Sequence, residues 1–142
     1  MLVLAVALLA VPLADQTLKS LLLRTIGARS LSLGALGEVR MQRAPIVLLR
    51  VGVRLDVWRV WLAAGGALLV AALAVPLPAW SIGLLLGGSL SHTIETWRRG
   101  SVLDYVGLRG WPAFDLADVA LVIGAGGTAT ALAVAAYRMV SS

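Results

Sequence analysis

The sequence predicts an all-α membrane protein: four transmembrane helices with a small β-element and a loop on one face. Three observations lead there. Of 142 residues, 60% are apolar and only 13% charged, against roughly 25% charged in a soluble domain. The mean hydropathy is +0.94, so too little polar surface exists to wrap a water-soluble globule. Four apolar segments, over approximately 2–23, 58–75, 80–97 and 114–140, approach or reach the length needed to cross a bilayer, about 20 residues.

The elements follow in order within one transmembrane domain over 1–142. The first apolar run carries a polar interruption, Asp15-Gln16-Thr17-Leu18-Lys19. It has no basic stretch at its start, and Pro12-Leu13-Ala14 is a poor cleavage site, so it reads as a retained span rather than a signal peptide. Residues 24–57 read as a surface β-element. Leu31-Ser32-Leu33 and Glu38-Val39-Arg40-Met41-Gln42 predict short strands, and Val51, Val53, Leu55 and Val57 alternate with Gly52, Arg54 and Asp56. Spans two and three are joined by Val75-Pro76-Leu77-Pro78, whose prolines stop one helix and force an antiparallel hairpin. The chain therefore returns to the side of the β-element, where residues 98–113 form a loop before span four. Gly65-Gly66, Gly87-Gly88, Gly124 and Gly126-Gly127 permit close helix approach. Trp58, Trp61, Trp80, Trp97 and Trp111 fall mainly near span ends, as interfacial anchors do.

Composition excludes several function classes. The absence of cysteine removes disulfides, thiol catalysis and Cys-ligated metal. The net charge of +5 comes from eleven arginines against one lysine, scattered without a nucleic-acid motif, and fits anionic membrane lipids as partners rather than nucleic acid.

The chemistry-bearing residues are ionisable groups at membrane depth, which cost about 2.5–3.5 kcal/mol each on insertion scales and so face a bundle interior. Asp15 and Lys19 are i,i+4 and share a helix face. His92 and Glu95, and likewise Asp115 and Asp118, are i,i+3. Glu95 ends span three and Asp118 begins span four, so two carboxylates come to a similar depth. Such a pair shares a proton near neutral pH: one member activates water while the other polarises a carbonyl and assists the leaving amine. Asp104 has a plainer reading as a loop partner of Arg98 or Arg99, and Asp15–Lys19 as a structural tie. A metal held by His92, Glu95, Asp115 and Asp118 is a poor prospect with a single histidine and no cysteine.

Four boxes in order make the chain resemble the lipoprotein signal peptidases (signal peptidase II). Asp15-Gln16-Thr17-Leu18-Lys19 matches the family's Asp-Gln-x-x-Lys, and Gly87-Gly88-Ser89-Leu90-Ser91-His92-Thr93-Ile94-Glu95-Thr96 aligns with Gly-Gly-Ala-x-Gly-Asn-x-x-Asp-Arg. Val102-Leu103-Asp104-Tyr105 matches Val-x-Asp-Phe, and Phe114-Asp115-Leu116-Ala117-Asp118 matches Phe-Asn-x-Ala-Asp. A further box, Asn-x-Gly-x-Ala-Phe, has only Gln42 and Ala44 as counterparts. The departures are Glu95, His92 and Thr96 for Asp, Asn and Arg, and Asp115 for Asn.

The resemblance implies an aspartic-type endopeptidase of the bacterial inner membrane. It would remove signal peptides from diacylglyceryl-modified prolipoproteins near the outer leaflet, as a monomer without cofactor or metal. It assigns catalysis to a Glu95/Asp118 dyad, support to Asp15, Lys19, His92, Asp104 and Asp115, and substrate binding to Gln42 and Arg43. The longer Glu95 leaves two alternatives open: an inactive relative that binds lipidated peptides, and a proton-linked transport component. Orientation is also open. Ten arginines lie in or beside the two loops on one side against Arg138 on the other; the positive-inside rule places those loops in the cytoplasm, whereas the resemblance places them outside.

Overall fold

The computed structural model describes residues 1–45 and 56–141. Four helices, α1 (Leu2–Thr25), α2 (Val57–Ala74), α3 (Ala79–Arg99) and α4 (Leu116–Val140), surround one another beneath a small sheet of β1 (Leu31–Ser32), β2 (Gly37–Pro45) and β3 (Ser101–Leu108). Helices α1, α2 and α4 are each long and apolar enough to cross a membrane. Helix α3 is more polar, yet its 21 residues reach about 30 Å at 1.5 Å per residue, which also spans the hydrocarbon core. Its polarity is tolerated because it packs against all three other helices and buries nine of its residues. The chain is therefore an integral membrane four-helix protein with a surface β-element.

Local chemistry sets the helix limits. Helix α1 runs unbroken through Pro12 and through the polar Asp15–Lys19 stretch, because its polar side chains find partners on α3 and α4. The Asp56 carboxylate caps α2 by accepting the Trp58 and Arg59 amides at 3.2 and 3.3 Å. Pro76 and Pro78 then separate α2 from α3. Gly100 ends α3 in the left-handed region, φ 67°, where a side chain is disfavoured.

The sheet is antiparallel in the order β1-β2-β3, and here the structure corrects the sequence reading. Among the described residues, the third strand has a source other than the alternating run over 51–57. Residues 51–55 of that alternating run lie outside the described residues, while Asp56 and Val57 cap and begin α2. It comes instead from the second loop, whose Val102-Leu103-Asp104-Tyr105-Val106 run pairs with β2, Gln42 opposite Asp104 and Arg43 opposite Leu103. Buried Leu103, Asp104 and Tyr105 show why no period-2 pattern marked it: the strand is covered on both faces at its centre. Phe114 bridges back to Val106 with two 3.0 Å backbone hydrogen bonds, so β3 hands the chain directly to the start of α4.

Close helix approach comes from glycine. A Cβ on Gly83 or Gly87 would sit 2.8 Å from a carbonyl oxygen of α1, that of Leu4 or Ala7 respectively, and one on Gly88 the same distance from the Ala117 carbonyl of α4. Gly66 has nothing within 4 Å. Gly87→Leu should therefore pry α1 from α3 and destabilise the detergent-solubilised protein by about 1–3 kcal/mol, with Gly66→Ala near neutral, both read by thermal unfolding.

Candidate active site

Five of the seven acidic residues, the only lysine and the only histidine gather where α1, α3 and the start of α4 meet beneath β3. Lys19 lies at the centre, fully buried. Its Nζ contacts Asp15 Oδ2 at 2.8 Å, Glu95 Oε2 at 2.6 Å and Asp115 Oδ2. An ammonium has three donors, and each finds one carboxylate. The arrangement is local only for Asp15, one turn away; Glu95 and Asp115 arrive from α3 and from the cap of α4.

Each carboxylate has further partners. Ser91 donates to Asp15 Oδ2 at 2.7 Å and accepts from Gln16 at 3.1 Å. Arg99, one turn beyond Glu95, donates to its other oxygen at 2.7 Å. Asp115 caps α4, accepting the Asp118 amide at 2.8 Å, while the Asp118 side chain accepts the Asp115 amide at 3.1 Å. This reciprocal box fixes Asp118 relative to Asp115. His92 Nε2 lies 3.4 Å from Asp115 Oδ1 and 3.6 Å from Asp118 Oδ1.

Asp104 is different in kind. It is buried on β3, and among the described residues no ion pair holds it; Arg99 serves Glu95 instead, which replaces the expected pairing of Asp104 with Arg98 or Arg99. Burial, then the negative charges of Asp118 and Asp115, push its carboxyl up to about 6, against the opposing pull of Lys19 and His92. The neighbouring Tyr105 phenol, pushed up to about 12 by burial and by the charge of Asp15, stays neutral. Its oxygen accepts the Leu116 amide at 2.9 Å, tying β3 to the first turn of α4.

Asp15, Lys19, His92, Asp115 and Asp118 thus converge as the sequence reading expects of a site, but Glu95 and Asp118 are not joined. Glu95 falls into one cluster with Asp15 and Asp115, all around Lys19, whereas Asp118 falls into another with His92 and Asp115. Gln42 and Arg43 lie on β2, Gln42 across from Asp104. The pairing of Arg99 with Glu95 and of Ser91 with Asp15 is not among the sequence expectations. The signal for Arg99 was present: Thr96 stands where the resembled box has arginine, and Arg99 lies i,i+4 from Glu95. His92, Asp115 and Asp118 also lie close enough together to hold a cation, as do Asp15, Glu95 and Asp115. In the second group the Lys19 ammonium already occupies that role.

Two apolar hollows flank the site. One of about 410 Å³ lies between α2 and α3, with Trp61, Gly65, Leu86, His92 and Leu121 in its walls. The other, about 530 Å³, runs from Leu108, Trp111 and Phe114 past Asp118 to Val122 and Ile123.

A membrane helix bundle roofed by a sheet, with buried acids at the junction, defines the class, and comparison with known proteins gives the family. The model for Signal peptidase (SPase) II matches residues 6–134, and the chain belongs to that family. Lipoprotein signal peptidases of Moorella thermoacetica and Halothermothrix orenii are 49% and 51% identical over 49 and 45 residues. These stretches cover 34% and 32% of this chain, and the chain spans about a third of the length of those relatives, 33% and 31%. Two solved structures, a bacterial membrane enzyme determined in meso at 1.9 Å and another at 2.3 Å, share the fold. Their TM-scores are 0.69 and 0.66 at 20% and 19% identity, covering 91% of this chain and 91% and 86% of theirs.

Three consequences are measurable by unfolding in detergent. Lys19→Met strands three buried carboxylates and should cost about 3–5 kcal/mol. Glu95→Asp, a methylene shorter, cannot span Lys19 and Arg99 together and should lose about 1–3 kcal/mol. The raised carboxyl of Asp104 favours the folded state only while it is protonated. That contribution is complete below the unfolded value near 3.8 and lost as pH rises through about 6. Asp104→Asn should therefore match wild type at pH 4 and exceed it in Tm at pH 8.

Proposed function

We propose that this protein is an intramembrane aspartic-type endopeptidase that cleaves the signal peptide from diacylglyceryl-modified prolipoproteins, using Asp104 and Asp118 as the working pair. The observation that carries the assignment is the Asp104 carboxyl, buried and held by no ion pair among the described residues, which burial and then the charge of Asp118 push up to about 6. Glu95, assigned to the dyad from sequence, has both oxygens engaged by Lys19 and Arg99 and serves as a structural strut. Its departure from aspartate therefore does not count against activity.

The chemistry follows from the two environments. Asp118, its oxygens facing the Asp115 amide and His92, is the carboxylate that takes a proton from water. Asp104, as the acid, passes its proton to the scissile carbonyl oxygen while the hydroxide adds to carbon. The proton on Asp118 then passes to the leaving nitrogen as the C–N bond breaks, and Asp104 recovers its proton as the carbonyl re-forms. No metal is required by this scheme.

A lipid-bearing substrate suits the two apolar hollows, one of which is bordered by Asp118 itself. Gln42, across the sheet from Asp104, and Arg43 beside it would hold the extended peptide at the membrane surface near the outer leaflet. The partners on this reading are the lipidated precursor and membrane lipids, with the enzyme acting as a monomer.

The test is incubation of purified protein with a diacylglyceryl-modified precursor peptide. Asp104→Asn and Asp118→Asn should each lower kcat at least about 10³-fold without unfolding, whereas Glu95→Gln should act first on stability. If no form cleaves but wild type binds the precursor, the chain is a binding relative; if Asp104→Asn still cleaves, the pair is misassigned. Because Asp104 must carry a proton, kcat/KM should fall as pH rises beyond about 6.

A further inference from the structure

Charge balance at the site points to a role for the one histidine. Among the described residues, Asp15, Glu95, Asp104, Asp115 and Asp118 face two permanent cations, Lys19 and Arg99. Four of these acids lie on or at the cap of packed helices, where uncompensated charge is expensive. Below about pH 6 a proton on Asp104 neutralises one acid, and above it the deficit of positive charge only grows. Of the four that remain, Lys19 and Arg99 offset two, leaving Asp115 and Asp118, and His92 Nε2 is set between them at 3.4 and 3.6 Å. Ionised carboxylates only accept hydrogen bonds, so Nε2 must carry a hydrogen there.

Every charged group near the imidazole bears on this. Glu95 and Arg99 on its own helix neutralise each other, and Lys19 on α1 is shared by three acids. Asp56 and Arg59 at the head of α2 pair together at 3.0 Å. Asp104 on β3 offers no ion pair. Among the described residues, what remains facing His92 is the carboxylate pair at the start of α4. The His92 side chain is 24% exposed, and it lines the α2–α3 hollow.

We propose that His92 is a positioning residue: as an imidazolium it holds Asp118 as a carboxylate, which makes Asp118 the base and leaves the acid role to Asp104. This rests on the Asp104/Asp118 reading above. The imidazolium exchanges no proton during turnover. It breaks the symmetry of the pair, so that the proton resides on one named member before substrate arrives. In the resembled box this position is asparagine, which supplies a hydrogen bond but no charge.

Because His92 is the only histidine in the chain, ¹⁵N-histidine labelling of the detergent-solubilised protein reads it directly. Both ring nitrogens should appear protonated at pH 7, and the loss of the ring proton at higher pH should be absent from Asp118→Asn at that same pH, having moved lower. A neutral tautomer at pH 7 overturns the proposal without need of any His92 variant. In kinetics, His92→Asn should lower kcat about tenfold with KM little changed, and should move the acid limb of kcat/KM upward by about one pH unit. His92→Gln, which keeps a donor without charge, should behave the same way. A His92→Asn profile superimposable on wild type, with Asp104→Asn and Asp118→Asn inactive, refutes His92 alone. Activity in either aspartate variant refutes the pair beneath it.

Discussion

The Lys19 ammonium, shut away from solvent among three carboxylates from three parts of the chain, is the constraint on which the rest of the structure depends. A buried ion of either sign is costly, and removing one partner of such a set costs more than the pair contributes while intact. Lys19 therefore dictates the depth and rotation of α1 against α3, and the position of the α4 cap. Glu95 and Asp115 cannot move without stranding charge, and Asp118 is bound to Asp115 by the reciprocal cap. A structural ion cluster thereby becomes the frame in which the proposed pair, Asp104 and Asp118, sits.

That frame separates acids by duty. Asp15, Glu95 and Asp115 are committed to Lys19, with Ser91 and Arg99 taking remaining valences. Asp104 and Asp118 are not, and they differ from each other: one buried without a cation among the described residues, the other 35% exposed at its side chain beside an apolar hollow. The proposed division of roles draws on this difference in surroundings between two aspartates. Glycines on α3 make this possible by letting α1 and α4 come within backbone contact on either side, so that side chains as short as aspartate reach the shared centre. Arg99, drawn inward to Glu95, is also not a free loop charge when membrane orientation is judged.

Much of this was legible before any coordinates. The membrane class followed from charge content, α2 and α3 from the proline pair between them, and the family from box order, because each depends on residues near in sequence. The i,i+3 spacing of Asp115 and Asp118 placed them on one helix face, and only the structure shows them closing a reciprocal cap. What the sequence misread was the second loop. Its strand, buried on both faces, has no alternation to betray it, and so Asp104 looked like a loop residue with an arginine partner.

The residue chemistry alone determined that acids lie at membrane depth and must be compensated, since hydrocarbon offers no other stabilisation for them. Which acid meets which cation was decided only by tertiary structure. Lys19 and Glu95 are 76 residues apart, and a helix rotation of one position would exchange partners. Glu95 and Asp118 shared a depth, yet depth is not proximity. Packing of α1 against the glycine face of α3 took Glu95 for Lys19, and pairing of β3 with β2 brought Asp104 over the start of α4 instead.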